Sequence, residues 1–162
     1  MMEGGCECGA VRFRLTDAPV TVNCCHCRDC QRVTGSAFAL NAMVETDRIR
    51  ITRGAPMMRS LARAGQADTR AWHCATCGTL LWADHPFTGD AARFVRVGTL
   101  DRAEALEPDA HYFVRSRHAW VTVPPGVAAF DTLPGDDAGI DLPPDRAARM
   151  AALTTAAEQP GA

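Results

Sequence analysis

The stretch Cys24-Cys25-His26-Cys27-Arg28-Asp29-Cys30 contains four of the eight cysteines of the chain. A hydrophobic core has no need of thiols at this density, whereas thiolates are soft ligands that favour zinc or iron–sulfur clusters over hard cations. The spacing of Cys25, Cys27 and Cys30 allows a single loop to place three sulfurs around one ion. We therefore interpret this stretch as a metal-binding loop around which the rest of the chain is organised.

The fourth ligand of this loop stays open at the level of sequence. If the chain is locally extended, Cys25 and Cys27 share one face, while Cys24 and His26 share the other. That alternation favours three protein sulfurs and one free position, which is the arrangement that a catalytic zinc keeps. The alternative is a closed structural site that is completed by Cys24, by His26 or by a remote residue such as His73.

The other four cysteines form two pairs, Cys6-x-Cys8 and Cys74-x-x-Cys77, which are far apart in the chain. Four thiolates are the number that a closed tetrahedral zinc site requires. A metal that joined the pairs would close a long loop, so that metal binding would contribute to the stability of the fold. We predict a structural zinc here; the alternative is that one pair is ordinary buried cysteine.

Length and charge restrict the class of protein. The 162 residues fit one domain with a real core. A formal net charge of -2 and a pI of about 6.2 argue against a nucleic-acid partner. The first residues contain no apolar signal segment and no run is long enough to span a membrane, so we expect a cytoplasmic protein without a membrane partner.

Four disulfides are the alternative use of eight cysteines. That alternative needs a secreted chain, and the adjacent Cys24 and Cys25 are poorly placed for disulfide geometry. In the reducing cytoplasm that we expect, the thiols would remain free to bind metal.

Alternating and short apolar runs predict many short strands and few helices. The predicted strands lie at residues 11–15, 20–22, 38–44, 49–51, 69–73, 79–83, 94–97, 112–114 and 120–123. A helical turn closed by Gly35 is predicted at residues 31–36, residues 57–62 fit either strand or helix, and residues 65–68 predict a hairpin turn. The fold class is therefore mainly β, a sandwich of short strands with the zinc loops at its end.

The composition changes from Leu133 onward to Gly, Asp, Pro and then Ala. Pro143 and Pro144 precede a segment that can form a short C-terminal helix, although we expect the last dozen residues to be frayed. We accordingly divide the chain into a zinc domain at residues 1–132 and a Pro/Gly/Ala-rich C-terminal extension at residues 133–162.

Two arginines next to the metal loop are candidates for holding a substrate. Three thiolates make zinc a weak Lewis acid toward water, but the site suits a fourth thiolate whose pKa the metal lowers. Arg28 and Arg32 can bind the carboxylates of a small anionic thiol. The alternative is that both belong to an ordinary solvated face.

Four segments of the chain, in matching order, resemble the glutathione-dependent formaldehyde-activating enzymes, also called the CENP-V/GFA domain family. The segments are Gly4-Gly5-Cys6-Glu7-Cys8-Gly9-Ala10-Val11-Arg12-Phe13, Cys25-His26-Cys27-x-x-Cys30-x-Arg32-x-x-Gly35-Ser36-Ala37-Phe38, Cys74-x-x-Cys77-Gly78-x-x-Leu81-Trp82 and His111-Tyr112-Phe113-Val114-Arg115-Ser116-Arg117-x-x-Trp120. Together they span roughly residues 4–123, with seven cysteines in register.

The resemblance implies a β-tent, or Mss4-like, fold with two zinc ions per chain. The structural zinc would be held by Cys6, Cys8, Cys74 and Cys77, and the catalytic zinc by Cys25, Cys27 and Cys30. The implied reaction joins glutathione and formaldehyde into S-hydroxymethylglutathione, a carbon–sulfur lyase activity in the reverse direction. The chain departs from the family in the extra thiol of Cys24, in Ala119 where proline is frequent, and in the tail.

Three functions remain open from the sequence. The first is a zinc enzyme acting on an adduct of glutathione and an aldehyde. The second is a zinc-stabilised module that binds protein or nucleic acid without catalysis, and the third is a redox sensor that uses Cys24 and Cys25. A small thiol that changes the coordination of the second zinc would separate the first from the second. The oligomeric state is not predicted.

Overall fold

A computed structural model describes residues 1–63, 66–86, 88–134 and 140–158 of the chain. Short β-strands dominate these residues. The strands are β1 (Met2–Gly5), β2 (Arg12–Leu15), β3 (Thr21–Cys25), β4 (Ala39–Glu45), β5 (Ile49–Arg53), β6 (Met57–Arg63), β7 (Gln66–His73), β8 (Leu80–Ala83), β9 (Ala92–Arg96), β10 (Ala110–Tyr112) and β11 (Ala128–Phe130). The α-helices are α1 (Arg28–Thr34) and α2 (Pro144–Glu158). The expected mainly β fold is confirmed.

The strands form two sheets that share one core. The smaller sheet has the order β1-β2-β5, and the larger has the order β11-β10-β3-β4-β9-β8-β7-β6. Strand β10 is parallel to both of its neighbours, β3 and β11, so a strand from late in the chain lies beside the one that carries Cys24 and Cys25. The rings of Phe13 and Trp82 meet edge to face at 5.3 Å and join the two sheets.

The two faces of the larger sheet have different partners because side chains alternate along each strand. Val22, Val44 and Val95 point into the core that the sheets share. Met43 and its neighbours point the other way, where they pack with Leu153 of α2. The larger sheet therefore lies between the smaller sheet and the C-terminal helix.

Helix α2 is fastened to the sheet by charged as well as apolar contacts. The Arg149 guanidinium donates to both carboxylate oxygens of Glu45, at 2.7 and 2.6 Å. Arg146 forms an ion pair with Asp109 and donates from Nε to the Val20 carbonyl at 2.9 Å. The expected C-terminal helix is confirmed, and it continues to Glu158. The expectation of a frayed end is therefore wrong for residues 151–158, while residues 159–162 lie outside the described part.

Several boundaries differ from those predicted. Strands β1 and β11 were not predicted, because neither Met2–Gly5 nor Ala128–Phe130 alternates apolar and polar residues. The predicted strand at residues 112–114 stops at Tyr112, because Phe113 adopts a left-handed conformation, with φ of 58°, and a 3₁₀ turn follows.

The strand predicted at residues 120–123 is wrong. Val121 N–H instead bonds the His118 carbonyl in a turn, and the two prolines that follow lack the amide donors a ladder needs. The hairpin turn predicted at residues 65–68 is displaced, because β7 already begins at Gln66 and pairs with β6 there; residues 64 and 65 lie outside the described part.

Two further observations concern the predicted environment. All eight cysteines are free thiols, which contradicts the alternative of four disulfides. In the described ranges, neither α-helix has the length and apolar character that crossing a membrane would require.

Candidate metal centres and the adjoining cavity

The four-sulfur cluster consists of Cys6, Cys8, Cys74 and Cys77, whose sulfurs all lie within 4.8 Å of one another. The first pair lies in the loop between β1 and β2, and the second lies between β7 and β8. The Sγ of Cys8 is 3.6 Å from that of Cys6 and 3.8 Å from that of Cys74. Four sulfurs at about 2.3 Å from a central ion would be about 3.8 Å apart. The spacing therefore fits a tetrahedral metal site.

Hydrogen-bond donors around this cluster favour thiolates. The Val11 amide donates to Cys6 Sγ at 3.2 Å. The Thr79 hydroxyl lies 3.1 Å from Cys77 Sγ, and this contact is the largest of those that lower the Cys77 pKa to about 5. Gly78, with φ of 76°, allows the tight turn in which its amide donates to the Cys74 carbonyl at 2.9 Å.

The three-sulfur cluster consists of Cys25, Cys27 and Cys30, and its sulfurs also lie within 4.8 Å of one another. Cys25 ends β3, Cys27 is the N-cap of α1, and Cys30 lies in the first turn of that helix. The Cys30 amide donates to Cys27 Sγ at 3.3 Å. Hydrogen bonds from the Cys25 and Cys30 thiols, and then from nearby amides, hold the pKa of Cys27 far below its ordinary value.

A fourth ligand for the three-sulfur cluster is not found within the same distance among the His, Cys, Asp and Glu side chains of the described residues. His73, the remote candidate, is outside the group. Cys24 and His26, the local candidates, belong to a separate group on the opposite face of β3. Cys25 and Cys27 therefore lie on one face and Cys24 and His26 on the other, as alternation along an extended chain predicts.

The buried histidine cluster consists of Cys24, His26 and His111. His26 Nε2 is 2.9 Å from His111 Nδ1, and the two rings are stacked. Burial raises the pKa of Cys24 to about 12, while burial, followed by the charge of His111, lowers the pKa of His26 to about 4. These groups are held in their neutral forms, and the sequence did not reveal the cluster because it forms only when β10 pairs with β3.

A cavity of about 340 Å³ opens beside the three-sulfur cluster, on the α2 side of the larger sheet. All three of its cysteines line the cavity, and Arg96 and Asn41 lie further along the floor. Arg96 donates to Asn41 Oδ1. Its positive charge is among the influences that act to lower the pKa of the Cys30 thiol. Sequence reasoning missed Arg96 because its proximity depends on the pairing of β9 with β4.

Arg28 and Arg32, the predicted substrate-binding arginines, are exposed residues of α1 and are not among the residues that line the cavity. Arg28 donates to the Gln31 side chain, whose amide nitrogen in turn donates to the His26 carbonyl at 2.7 Å. The two arginines therefore stand on the helix that carries Cys30, outside the cavity itself.

Comparison with known proteins gives one family. The model of the family described as glutathione-dependent formaldehyde-activating enzyme matches residues 1–116. A protein of Halomonas elongata that provisionally bears the same name is 33% identical over 92 residues, which is 53% of this chain and 57% of the relative. A Penicillium rubens protein with the same provisional name is 30% identical over 117 residues, which is 68% of this chain and 59% of the relative.

The matches thus span less than two thirds of the length of these curated relatives. Among solved structures, a Rhodobacter sphaeroides protein superposes with a TM-score of 0.49 at 21% identity, over 80% of this chain and 99% of that chain.

Proposed function

The chain belongs to the family of glutathione-dependent formaldehyde-activating enzymes, and on that premise we propose that it is a zinc-dependent enzyme of the carbon–sulfur lyase type. Its reaction would join glutathione to formaldehyde or a related aldehyde, giving S-hydroxymethylglutathione or the corresponding adduct. The observation that carries the proposal is the three-sulfur cluster, which lines the cavity with no fourth protein ligand among the described residues.

Two zinc ions per chain suit the donors. Thiolates are ligands of choice for zinc, and the sulfur separations in the four-sulfur cluster fit a tetrahedral ion. That cluster would hold a structural zinc, through Cys6, Cys8, Cys74 and Cys77. Cys25, Cys27 and Cys30 would hold the catalytic one. A zinc ion bound there would lower the pKa of an incoming thiol and favour its thiolate form.

The contribution of the chain to the reaction is to bind and orient. In the addition, the glutathione sulfur forms a bond to the carbonyl carbon, the electron pair of the C=O bond moves to oxygen, and that oxygen takes up a proton as the thiol loses its own. Glutathione and formaldehyde also combine without an enzyme, so the gain comes from holding both partners in a reactive geometry. Arg28 and Arg32 would hold the peptide carboxylates at the rim, where their exposure leaves them accessible.

A cytoplasmic location is part of the proposal. Eight free thiols suit a reducing compartment, which is also where glutathione is kept in its thiol form.

Exchange NMR at equilibrium tests the activity. The protein should speed the interconversion of free glutathione and its hydroxymethyl adduct above the uncatalysed rate, and Cys30→Ala should return it to that rate. Cys24→Ala is the matched control, because the Cys24 thiol belongs to the buried histidine cluster on the other face of β3, and it should keep nearly the wild-type rate.

Cobalt substitution separates the substrate from the site. If glutathione changes the visible spectrum of the cobalt-loaded protein but no small aldehyde exchanges faster, the thiol site stands and the reaction is different. If glutathione leaves the spectrum unchanged, the enzyme proposal fails and a non-catalytic binding module takes its place.

A further inference from the structure

We propose that the cavity takes a thiol adduct whose sulfur carries an apolar group larger than the single carbon of formaldehyde, and that Met150 of the C-terminal helix recognises this group. The inference rests on the proposed function and names the substrate class of the same site. It comes from the order in which side chains follow one another along the cavity floor.

The floor is one face of the larger sheet, and the strand register divides it into three rows. Cys25 lies at the first row, beside Tyr112 of β10. Asn23, Asn41 and Arg96 are paired with one another and form the second row. Thr21, Met43 and Phe94 form the third. Residues two apart on a strand are separated by about 7 Å, so the third row lies about 14 Å from the first.

The second row is a chain of hydrogen bonds that ends at the cavity. Arg96 donates to Asn41 Oδ1, and Asn41 Nδ2 donates to Asn23 Oδ1 at 3.1 Å. All three side chains line the cavity. A polar row that carries the positive charge of Arg96 suits the oxygen of an aldehyde adduct, where negative charge develops and disappears during the reaction.

Apart from Thr21 the third row is apolar, and α2 covers it. Met43, Phe94 and Met150 line the cavity, and Met150 packs against the cluster that joins Met43 to Leu153. Leu133 and Pro134, which precede the helix, also line the cavity. The one-carbon group of formaldehyde cannot reach this row, so the row would have no contact with the aldehyde-derived group if formaldehyde were the only aldehyde used.

Met150 lies outside the part of the chain that the family model matches, which ends at residue 116, whereas Met43 and Phe94 lie within it. The position of Met150 is nevertheless fixed, since Arg146 and Arg149 tie α2 to Asp109 and Glu45. Met150 thus completes an apolar row whose other apolar members, Met43 and Phe94, lie in the sheet, and the row discriminates by the length of the group on the sulfur.

Binding of stable thioethers tests the inference without relying on catalysis. Calorimetry of the zinc-loaded protein with S-methyl-, S-butyl- and S-octylglutathione should show affinity rising with chain length. Most of the rise should come between butyl and octyl, because only the longer chain passes the polar row. Full burial of a methylene is worth about fourfold in affinity, so four partly buried ones should give at least about tenfold.

Substitutions in α2 test whether Met150 contacts the apolar group of the ligand. Met150→Gln should reduce the octyl-to-methyl affinity ratio by about tenfold, while Met150→Leu should retain most of it. Ala151→Gln is the matched control, because the same side chain is placed one position away on the exposed side of α2. It should leave the ratio at the wild-type value.

Each failure has its own meaning. A flat affinity series in the wild-type protein overturns the inference, even if formaldehyde exchange is accelerated. A rising series that Met150→Gln leaves intact overturns the assignment of Met150. A rising series without acceleration by any aldehyde, formaldehyde or hexanal, refutes the proposed reaction but supports the apolar cavity.

Discussion

The two sulfur clusters differ in how much of the chain each one joins. The four-sulfur cluster connects loops whose members Cys8 and Cys74 are 66 positions apart, and so ties the smaller sheet to the hairpin of the larger one. The three-sulfur cluster lies within one loop and helix start, from Cys25 to Cys30. A metal in the first closes a long loop, whereas a metal in the second orders a few residues that already have their own hydrogen bonds. The first should therefore control folding, and the second should control chemistry.

Removing one thiolate from each cluster should give the largest contrast. Cys77→Ser should lower Tm by roughly 10 °C or more, because metal binding at the four-sulfur cluster contributes to folding. Cys27→Ser should lower Tm by less than about 3 °C but abolish glutathione exchange. Differential scanning calorimetry of zinc-loaded proteins measures both. If the two variants unfold equally early, both ions are structural and the comparison is wrong.

Two glycines with the same backbone conformation extend the contrast to the loops. Gly54 and Gly35 both have φ of 64°. A Cβ at Gly54 would lie 2.2 Å from the Ala10 carbonyl oxygen, next to the Cys6–Cys8 loop, whereas a Cβ at Gly35 meets nothing within 4 Å. Gly35→Ala should cost only the left-handed conformation, about 1 kcal/mol. Gly54→Ala should cost at least about 3 kcal/mol because the backbone must also move.

Urea unfolding of the two glycine variants measures these costs as free energies. Zinc content is the second readout, since Gly54→Ala should also weaken the four-sulfur cluster. Equal destabilisation by the two substitutions would show that the Ala10 loop moves without cost, and that the cluster does not hold it in place.

Acid should weaken the contact between α2, which covers the cavity, and the larger sheet before it affects the smaller sheet. The Arg149 guanidinium beside Glu45 holds the pKa of that carboxyl below its usual 4.5. The stabilisation is therefore complete above about pH 5.5 and is lost as the pH falls below 4.5 toward the lowered pKa of the folded state. Glu45→Gln should cost about 1 kcal/mol at neutral pH, and its difference in Tm from the wild type should shrink at pH 4 and below.

Comparing the variant with the wild type at each pH cancels any loss of metal, which affects both proteins alike. A Tm difference that is independent of pH between 6 and 3.5 would show that Glu45 acts through packing and not through its charge.

Removal of the ion from the three-sulfur cluster alone should give the smallest change in Tm. Elemental analysis of protein purified without chelator should find close to two zinc ions per chain. A weak chelator should first remove the ion from the three-sulfur cluster, since an open position admits the competing ligand, and should change Tm by less than about 2 °C. Release of both ions in one step, together with unfolding, would contradict the distinction between the clusters.

The spacing within each cysteine pair and within the metal loop reflects local geometry, whereas the joining of the two distant pairs was predicted from the four thiolates that a tetrahedral zinc site requires. Alternation along β3 separated Cys25 from Cys24, and a two-residue period is a local property of the chain. His111 could not be predicted as the partner of His26, since a single sequence does not reveal that β10 lies parallel to β3 and 85 positions away. The same holds for Arg96 and Met150, whose positions in the cavity depend on strand register and on the docking of α2.

The sequence separation within each cluster also sets the order in which the sites can fill on the ribosome. At about 5 to 20 residues per second, the 66 positions between Cys8 and Cys74 take about 3 to 13 seconds to synthesise, whereas Cys25, Cys27 and Cys30 emerge within about one second of one another. The nascent chain can therefore complete the three-sulfur cluster while Cys6 and Cys8 are still without their partners. During that interval their thiols are open to oxidation, to other metals and to mispairing, so zinc supply in the cell should limit the yield of folded protein at the site that matures last.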